Sequence, residues 1–156
     1  MFKKSLKQTQ MTTLARYKKE LRKNPKLKFL FLELTQLCNE HCRHCGSRCG
    51  DFMPKDTLTK EEIFAFLEKT SNQFDLSSVQ LCITGGEPLL REDFFEIMNY
   101  AKSLGFNWGM TTNGTLIDND VAEKLYEAGM KTVSVSIDGL RETNDWFRQK
   151  EGGYDA

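Results

Sequence analysis

At 156 residues, with 39% hydrophobic and 28% charged side chains, the chain has the size and composition of a globular domain with a real core. No apolar run reaches the ~18–20 residues that would cross a bilayer, and the start Met1-Phe2-Lys3-Lys4 lacks the apolar stretch of a signal peptide, so a cytoplasmic protein is expected. Formal net charge is zero but uneven: residues 1–28 carry +9 and the remaining 128 carry −9.

A basic leader, residues 1–26, comes first. Leu14, Tyr17 and Leu21 recur at helical spacing and predict a helix over 12–23 with one face packed on the body. Such an arm can address a polyanion, a membrane surface or an acidic peptide. A solvated helix is the simpler reading, and neither a membrane nor a nucleic acid partner is expected. Residues 27–156 form the second unit. Here strands are predicted at 28–35, 78–84, 106–112 and 131–138, and helices at 60–70, 91–104 and 119–128. Thr59 with Glu62 reads as a capping box, Gly105 as a helix stop and Asp118 as an N-cap.

This alternation implies an α/β fold with a parallel sheet. Ordinary parallel strands are apolar on both faces, whereas these alternate. Leu30, Leu32 and Leu34 share a face, as do Val79, Leu81 and Ile83, and Val133, Val135 and Ile137. The opposite face carries Glu33 and Thr35, then Gln80, Cys82 and Thr84, then Asn107, Thr111 and Asn113, then Ser134, Ser136 and Asp138. With helices on the apolar side, the polar side would line a lumen. The expected architecture is a partial (βα) TIM-like barrel of about four βα units, with the 131–138 strand as an open edge.

In βα barrels chemistry gathers at the carboxyl ends of the strands. The first strand runs into Cys38-Asn-Glu-His-Cys42-Arg-His-Cys45-Gly-Ser-Arg-Cys49, the second into Gly85-Gly86-Glu87-Pro88, the third into Asn113-Gly114 and the fourth into Ser136-Ile137-Asp138-Gly139. Five cysteines, four of them within twelve residues, argue for a metal rather than a disulfide framework. A C-x3-C-x2-C loop can put three thiolates on a cubane iron–sulfur cluster and leave one iron open. The competing reading is structural zinc, with His41, His44 or Cys49 completing four ligands. Cys49 and Cys82 otherwise read as incidental thiols, and Trp108, Tyr100 and Phe94 as ordinary packing aromatics.

Taken in order, CNEHCRHC, GGEP, TTNGT and SVSIDG resemble the strand-end motifs of the radical S-adenosylmethionine (SAM) superfamily. The segment Asn144-Asp145-Trp146-Phe147-Arg148 with Gly152-Gly153-Tyr154 resembles a stretch of members with a SPASM-type extension. The resemblance implies a four-iron four-sulfur cluster on Cys38, Cys42 and Cys45. It further implies SAM chelated at the open iron and cleaved by one electron to methionine and a 5′-deoxyadenosyl radical. Gly85, Gly86 and Glu87 would meet the SAM amino group, with Pro88 fixing the turn. Ser136 and Arg148 would meet its carboxylate or ribose, and Asn113 and Asp138 would shape the lumen. His44 stands where many members have an aromatic and would lie near the adenine, and Asn144 replaces the usual histidine of the last motif. Such members have about six βα units, so a truncated barrel is expected. A flavodoxin or ferredoxin would supply the electron. The leading substrate is a peptide or protein, with cofactor biosynthesis and a non-catalytic zinc module as alternatives.

Overall fold

The computed structural model describes residues 2–156, with side chains from Lys7 onward; the leader's Met1 lies outside them. Helix α1 spans Phe2–Lys23, and its last turn carries Arg22 and Lys23, which complement the negative end of the helix dipole. It does not pack as the heptad-like spacing implied. Leu14 and Tyr17 are 46% and 60% exposed and only Leu21 is half-buried, so the predicted face is covered at its last turn alone.

Strands β1 (Phe29–Glu33), β2 (Gln80–Thr84), β3 (Asn107–Thr112) and β4 (Met130–Val135) form one parallel sheet in the order β1-β2-β3-β4. The register aligns Leu30, Leu81, Trp108 and Met130 in one row, and Leu32, Ile83, Met110 and Val133 in another. Helices α2 (Lys60–Gln73), α3 (Phe94–Ser103) and α4 (Asn119–Glu127) make the crossovers. Ile63 and Leu67 from α2, Phe94, Ile97, Met98 and Ala101 from α3, and Leu125 from α4 join those rows in a single core, except at Val133, which stays exposed. Trp108 sits at its centre and donates from Nε1 to the Ala128 carbonyl at 3.0 Å, so its one polar atom is satisfied. This is an α/β fold of four βα units, an open partial (βα) barrel.

The helices start where the caps dictate. Thr59 Oγ1 accepts from Glu62 N–H at 3.2 Å, and the Glu62 carboxylate takes the Thr59 N–H at 2.8 Å. Asp118 Oδ1 caps α4 through Val121 N–H at 2.8 Å. Helix α2 outruns its predicted end at 70, and α3 begins three residues later than predicted, because residues 91–93 do other work. The buried Arg91 guanidinium donates to the carbonyls of Leu34 and Leu58 and pairs with Asp93, pinning the end of β1 to the start of α3.

Strand β4 departs from expectation in two ways. Its pairing with β3 skips Lys131, a bulge that keeps Met130 in the apolar row and restores alternation from Thr132 onward. It also ends at Val135 rather than 138. The face away from the helices carries polar Gln80, Cys82, Thr84, Thr111 and Ser134 as predicted, with Thr132 brought there by the bulge, but also Phe29 and Phe31, which are 64% and 69% exposed. A fifth helix, α5 (Arg141–Arg148), was not anticipated. Its buried residues are Asn144 and Arg148.

Candidate active site

The cysteine loop is closed at its base before any cysteine acts. Gly50 N–H donates to the Gln36 carbonyl at 3.1 Å, and Cys38 N–H donates to the Gly50 carbonyl at 2.9 Å. Within the loop, Cys45 N–H reaches the Cys42 carbonyl at 3.0 Å. Cys38, Cys42, Cys45 and Cys49 are free and half-buried. Burial, opposed in part by the Glu40 N–H, pushes the Cys38 thiol above its ordinary value. Burial and the Glu40 carboxylate push Cys42 up to about 11. Burial and the adjacent Cys45 push Cys49 up to about 11 as well.

The glycine-rich turn lies directly against this loop. Gly86 N–H donates to the Thr35 carbonyl at 2.7 Å, and Glu87 N–H to the Leu37 carbonyl at 2.8 Å. A Cβ on Gly85, whose φ is +136°, would meet Thr35 O at 2.3 Å, and one on Gly86 would meet Leu37 O at 2.0 Å. The backbone leading to the cysteines therefore demands both glycines. Glu87 is fully buried and faces the end of β3. It accepts from Thr112 Oγ1 at 2.9 Å and Asn113 N–H at 2.8 Å, while burial pushes its pKa up against those bonds. Glu87 also caps the 3-10 turn Pro88–Leu90, in which Pro88 is buried at the first position.

Asn113 is likewise engaged within the protein. Its Nδ2 donates to Asn39 Oδ1 at 2.7 Å, and its Oδ1 accepts from Thr115 N–H and Oγ1 at 3.0 and 2.9 Å. Asn39 Nδ2 donates to Thr115 Oγ1 at 2.9 Å, closing a ring that ties the cysteine loop to the β3 end. Ser136 is half-buried at the end of β4, where its N–H donates to the Thr112 carbonyl at 3.0 Å.

Helix α5 clamps the loop from the other side. The carbonyls of Arg148 and Phe147 accept from His41 and Arg43 N–H at 3.2 and 2.8 Å, and Gln149 Nε2 donates to the His41 carbonyl at 2.6 Å. Arg43 donates from Nε to the Trp146 carbonyl and lies over the Trp146 ring at 4.4 Å. Beneath, Arg148 Nη1 meets Glu40 Oε2 at 2.8 Å and Nη2 meets Asp138 Oδ2 at 2.9 Å. The second contact has the distance of an ion pair and is not a hydrogen bond, and Asp138 Oδ2, Glu40 Oε1 and Arg148 Nε are each buried without a hydrogen bond. His44 Nε2 is 3.5 Å from the same Asp138 oxygen, and its ring meets Phe147 edge-on at 5.5 Å. Asp138 N–H is held in turn by Asn144 Oδ1 at 3.0 Å.

All twelve residues singled out in the sequence thus lie around one rim. Four of them, Glu87, Asn113, Asp138 and Arg148, point into the protein's own hydrogen bonds and ion pairs. Glu40, Asn39, Thr112 and Thr115 were missed. The only sequence signal for Glu40 is an acid inside a cysteine loop, and its partner Arg148 is 108 residues away.

Among the described residues no three His, Cys, Asp or Glu side chains converge as a single ion requires. A cubane asks for less convergence, because each thiolate takes its own corner. Buried, loop-borne thiols whose charges repel one another suit such a group, since bound iron supplies the positive charge that makes thiolates stable there. A cavity of about 350 Å³ opens beside β4: Leu125, Val133, Val135 and Ile137 line its apolar side, Asn113 and Ser136 lie on its wall, and no cysteine reaches it. It is a mostly apolar gap that adjoins the rim at the ends of β3 and β4.

The chain belongs to the radical SAM superfamily, a superfamily of enzymes, whose family model matches residues 32–156. It is 40% identical over 123 residues to the Fe-coproporphyrin III synthase of Methanosarcina barkeri, covering 79% of this chain and 30% of that protein. It is 36% identical over 117 residues to the GTP 3′,8-cyclase of Microcystis aeruginosa, covering 72% and 35%. Among solved structures, native anSMEcpe with bound AdoMet superposes with a TM-score of 0.66 at 25% identity, covering 81% of this chain and 36% of that one. Streptococcus suis SuiB bound to S-adenosylmethionine superposes at 0.69 and 18% identity, covering 92% and 34%. The chain spans about a third of the length of these relatives. Among the described residues no helix is long and apolar enough to cross a membrane.

Proposed function

We propose that this chain is the cluster- and SAM-binding portion of a radical SAM enzyme acting on a small-molecule precursor in cofactor biosynthesis. What carries the reading is the trio Cys38, Cys42 and Cys45, held on a rim beside the Gly85-Gly86 turn in a chain of this superfamily. Cys38, Cys42 and Cys45 would hold a four-iron four-sulfur cluster, whose chemistry would be the one-electron reductive cleavage of SAM that initiates hydrogen abstraction from a substrate. The chain's own part is positional. The base of the loop, the Asn39–Asn113–Thr115 ring and α5 hold the thiols in place. His44 and Ser136 are left at the rim for the nucleoside, with Asp138 bridging His44 and Arg148. A flavodoxin or ferredoxin is the expected electron donor.

For the substrate, the support comes from relatives. Those 36 to 40% identical include an Fe-coproporphyrin III synthase, an AdoMet-dependent heme synthase, a pre-heme d1 synthase and a GTP 3′,8-cyclase. The peptide-modifying, SPASM-type reading has a weaker footing, since SuiB bound to its precursor peptide SuiA matches at 18% identity and speaks for the fold alone. Exposed Phe29 and Phe31 on the bare face of the sheet offer a flat ring somewhere to lie. Anaerobic reconstitution with iron and sulfide should give a brown protein with close to four irons, and Cys42→Ala should lose them; a colourless protein holding one zinc would refute the assignment. Titration with a coproporphyrin should then shift its Soret band. Saturable peptide binding without such a shift would contradict the substrate class.

A further inference from the structure

Glu40 is the one buried carboxylate inside the cysteine loop, with its side chain 1% exposed. Its Oε2 is 3.8 Å from Cys42 Sγ and 2.8 Å from Arg148 Nη1, so anion, cation and metal-binding sulfur form one contiguous set. The other oxygen, Oε1, is buried with no hydrogen bond, as is Arg148 Nε. Charges kept this dry are screened little and act strongly on a neighbour. A buried pair can be replaced by apolar groups at little cost, so stability alone does not explain one here.

We propose that Glu40 is a positioning residue that sets the electrostatics of the cluster, cancelling the Arg148 charge beside Cys42 so that Arg148 can anchor α5 without making the cluster easier to reduce. The inference rests on the cluster assignment made above. A guanidinium with no counter-charge beside a cluster ligand stabilises the reduced form, which carries one more electron. Its potential rises, and a cluster of higher potential is a weaker donor to a sulfonium. Neutralised by Glu40, the same guanidinium holds α5 to the loop and leaves the potential low.

The test is a redox titration followed by electron paramagnetic resonance on the reconstituted chain, comparing wild type, Glu40→Gln and the double variant Glu40→Gln/Arg148→Met. Glu40→Gln keeps the shape and leaves Arg148 with only the more exposed Asp138, at 2.9 Å, as counter-charge, so its midpoint should move upward. The double variant removes both charges, so its midpoint should return toward wild type. Should Glu40→Gln fold poorly, the double variant and Arg148→Met carry the test, since Arg148→Met alone should shift the midpoint downward. A wild-type chain that assembles no four-iron cluster refutes the cluster assignment itself. Clusters that assemble with equal midpoints in all variants overturn the role of Glu40. Loss of the cluster in every variant while wild type retains it makes the pair a scaffold element and also overturns it.

Discussion

At Gly86 the chain passes so close to Leu37 that a methyl group would sit 2.0 Å from its carbonyl oxygen, backbone that cannot turn aside. Gly86→Ala should therefore destabilise the protein by about 3 kcal/mol, the upper end of overpacking costs, seen as a lowered denaturant midpoint at unchanged slope. A melting curve equal to wild type would show that the two segments are not in contact. The buried Arg148–Glu40 pair makes a second demand, since removing one partner strands the other charge. Arg148→Met should cost about 3–5 kcal/mol, and adding Glu40→Gln should recover most of it. The cysteines and glycines were legible because each is a residue type with narrow uses at fixed local spacing. Glu40, Asn39 and Thr115 were not, because their partners lie in distant segments and an acid or amide in a loop looks solvated until its neighbour is known.

Elements follow the same division. Strands and the first crossover helices were readable from period-2 and period-3.6 alternation, because their buried faces are apolar. Helix α5 hides Asn144 and Arg148 instead, so the same periodicity registered nothing. The bulge at Lys131 was equally silent, since one skipped residue leaves the hydrophobic pattern of β4 unchanged beyond it. Past α5 the chain is secured by Asp145, whose carboxylate accepts from Gly152 and Tyr154 N–H at 2.8 and 3.0 Å. Burial alone would raise its pKa, but these bonds outweigh that and hold it below its ordinary value. A lowered folded-state pKa means that this contribution is fully present above the ordinary carboxylate range and is lost as pH falls through the folded value. Amide exchange at Gly152 and Tyr154 should therefore be protected at neutral pH and speed up selectively in acid, beyond the intrinsic pH dependence of exchange. Uniform behaviour across the C-terminal turn would contradict the assignment.

For the whole molecule, the sheet leaves both β1 and β4 unpaired on one side. Val133 and Val135 on β4 and Ile137 just beyond it are 46%, 50% and 63% exposed, an edge with little charge to discourage pairing. Concentration-dependent self-association is expected of this chain in sedimentation, and Val135→Lys should reduce it; a monomer at all concentrations would contradict the open edge. The architecture brings four strand ends to one rim, and the account stands on what three thiols there hold. Electron paramagnetic resonance of the reduced, reconstituted chain with and without SAM tests this most directly. A four-iron signal whose g-values change when SAM is added is the predicted result, because one iron has no cysteine and is open to the ligand. A signal indifferent to SAM, or one that persists in Cys38→Ala and Cys45→Ala, would contradict it.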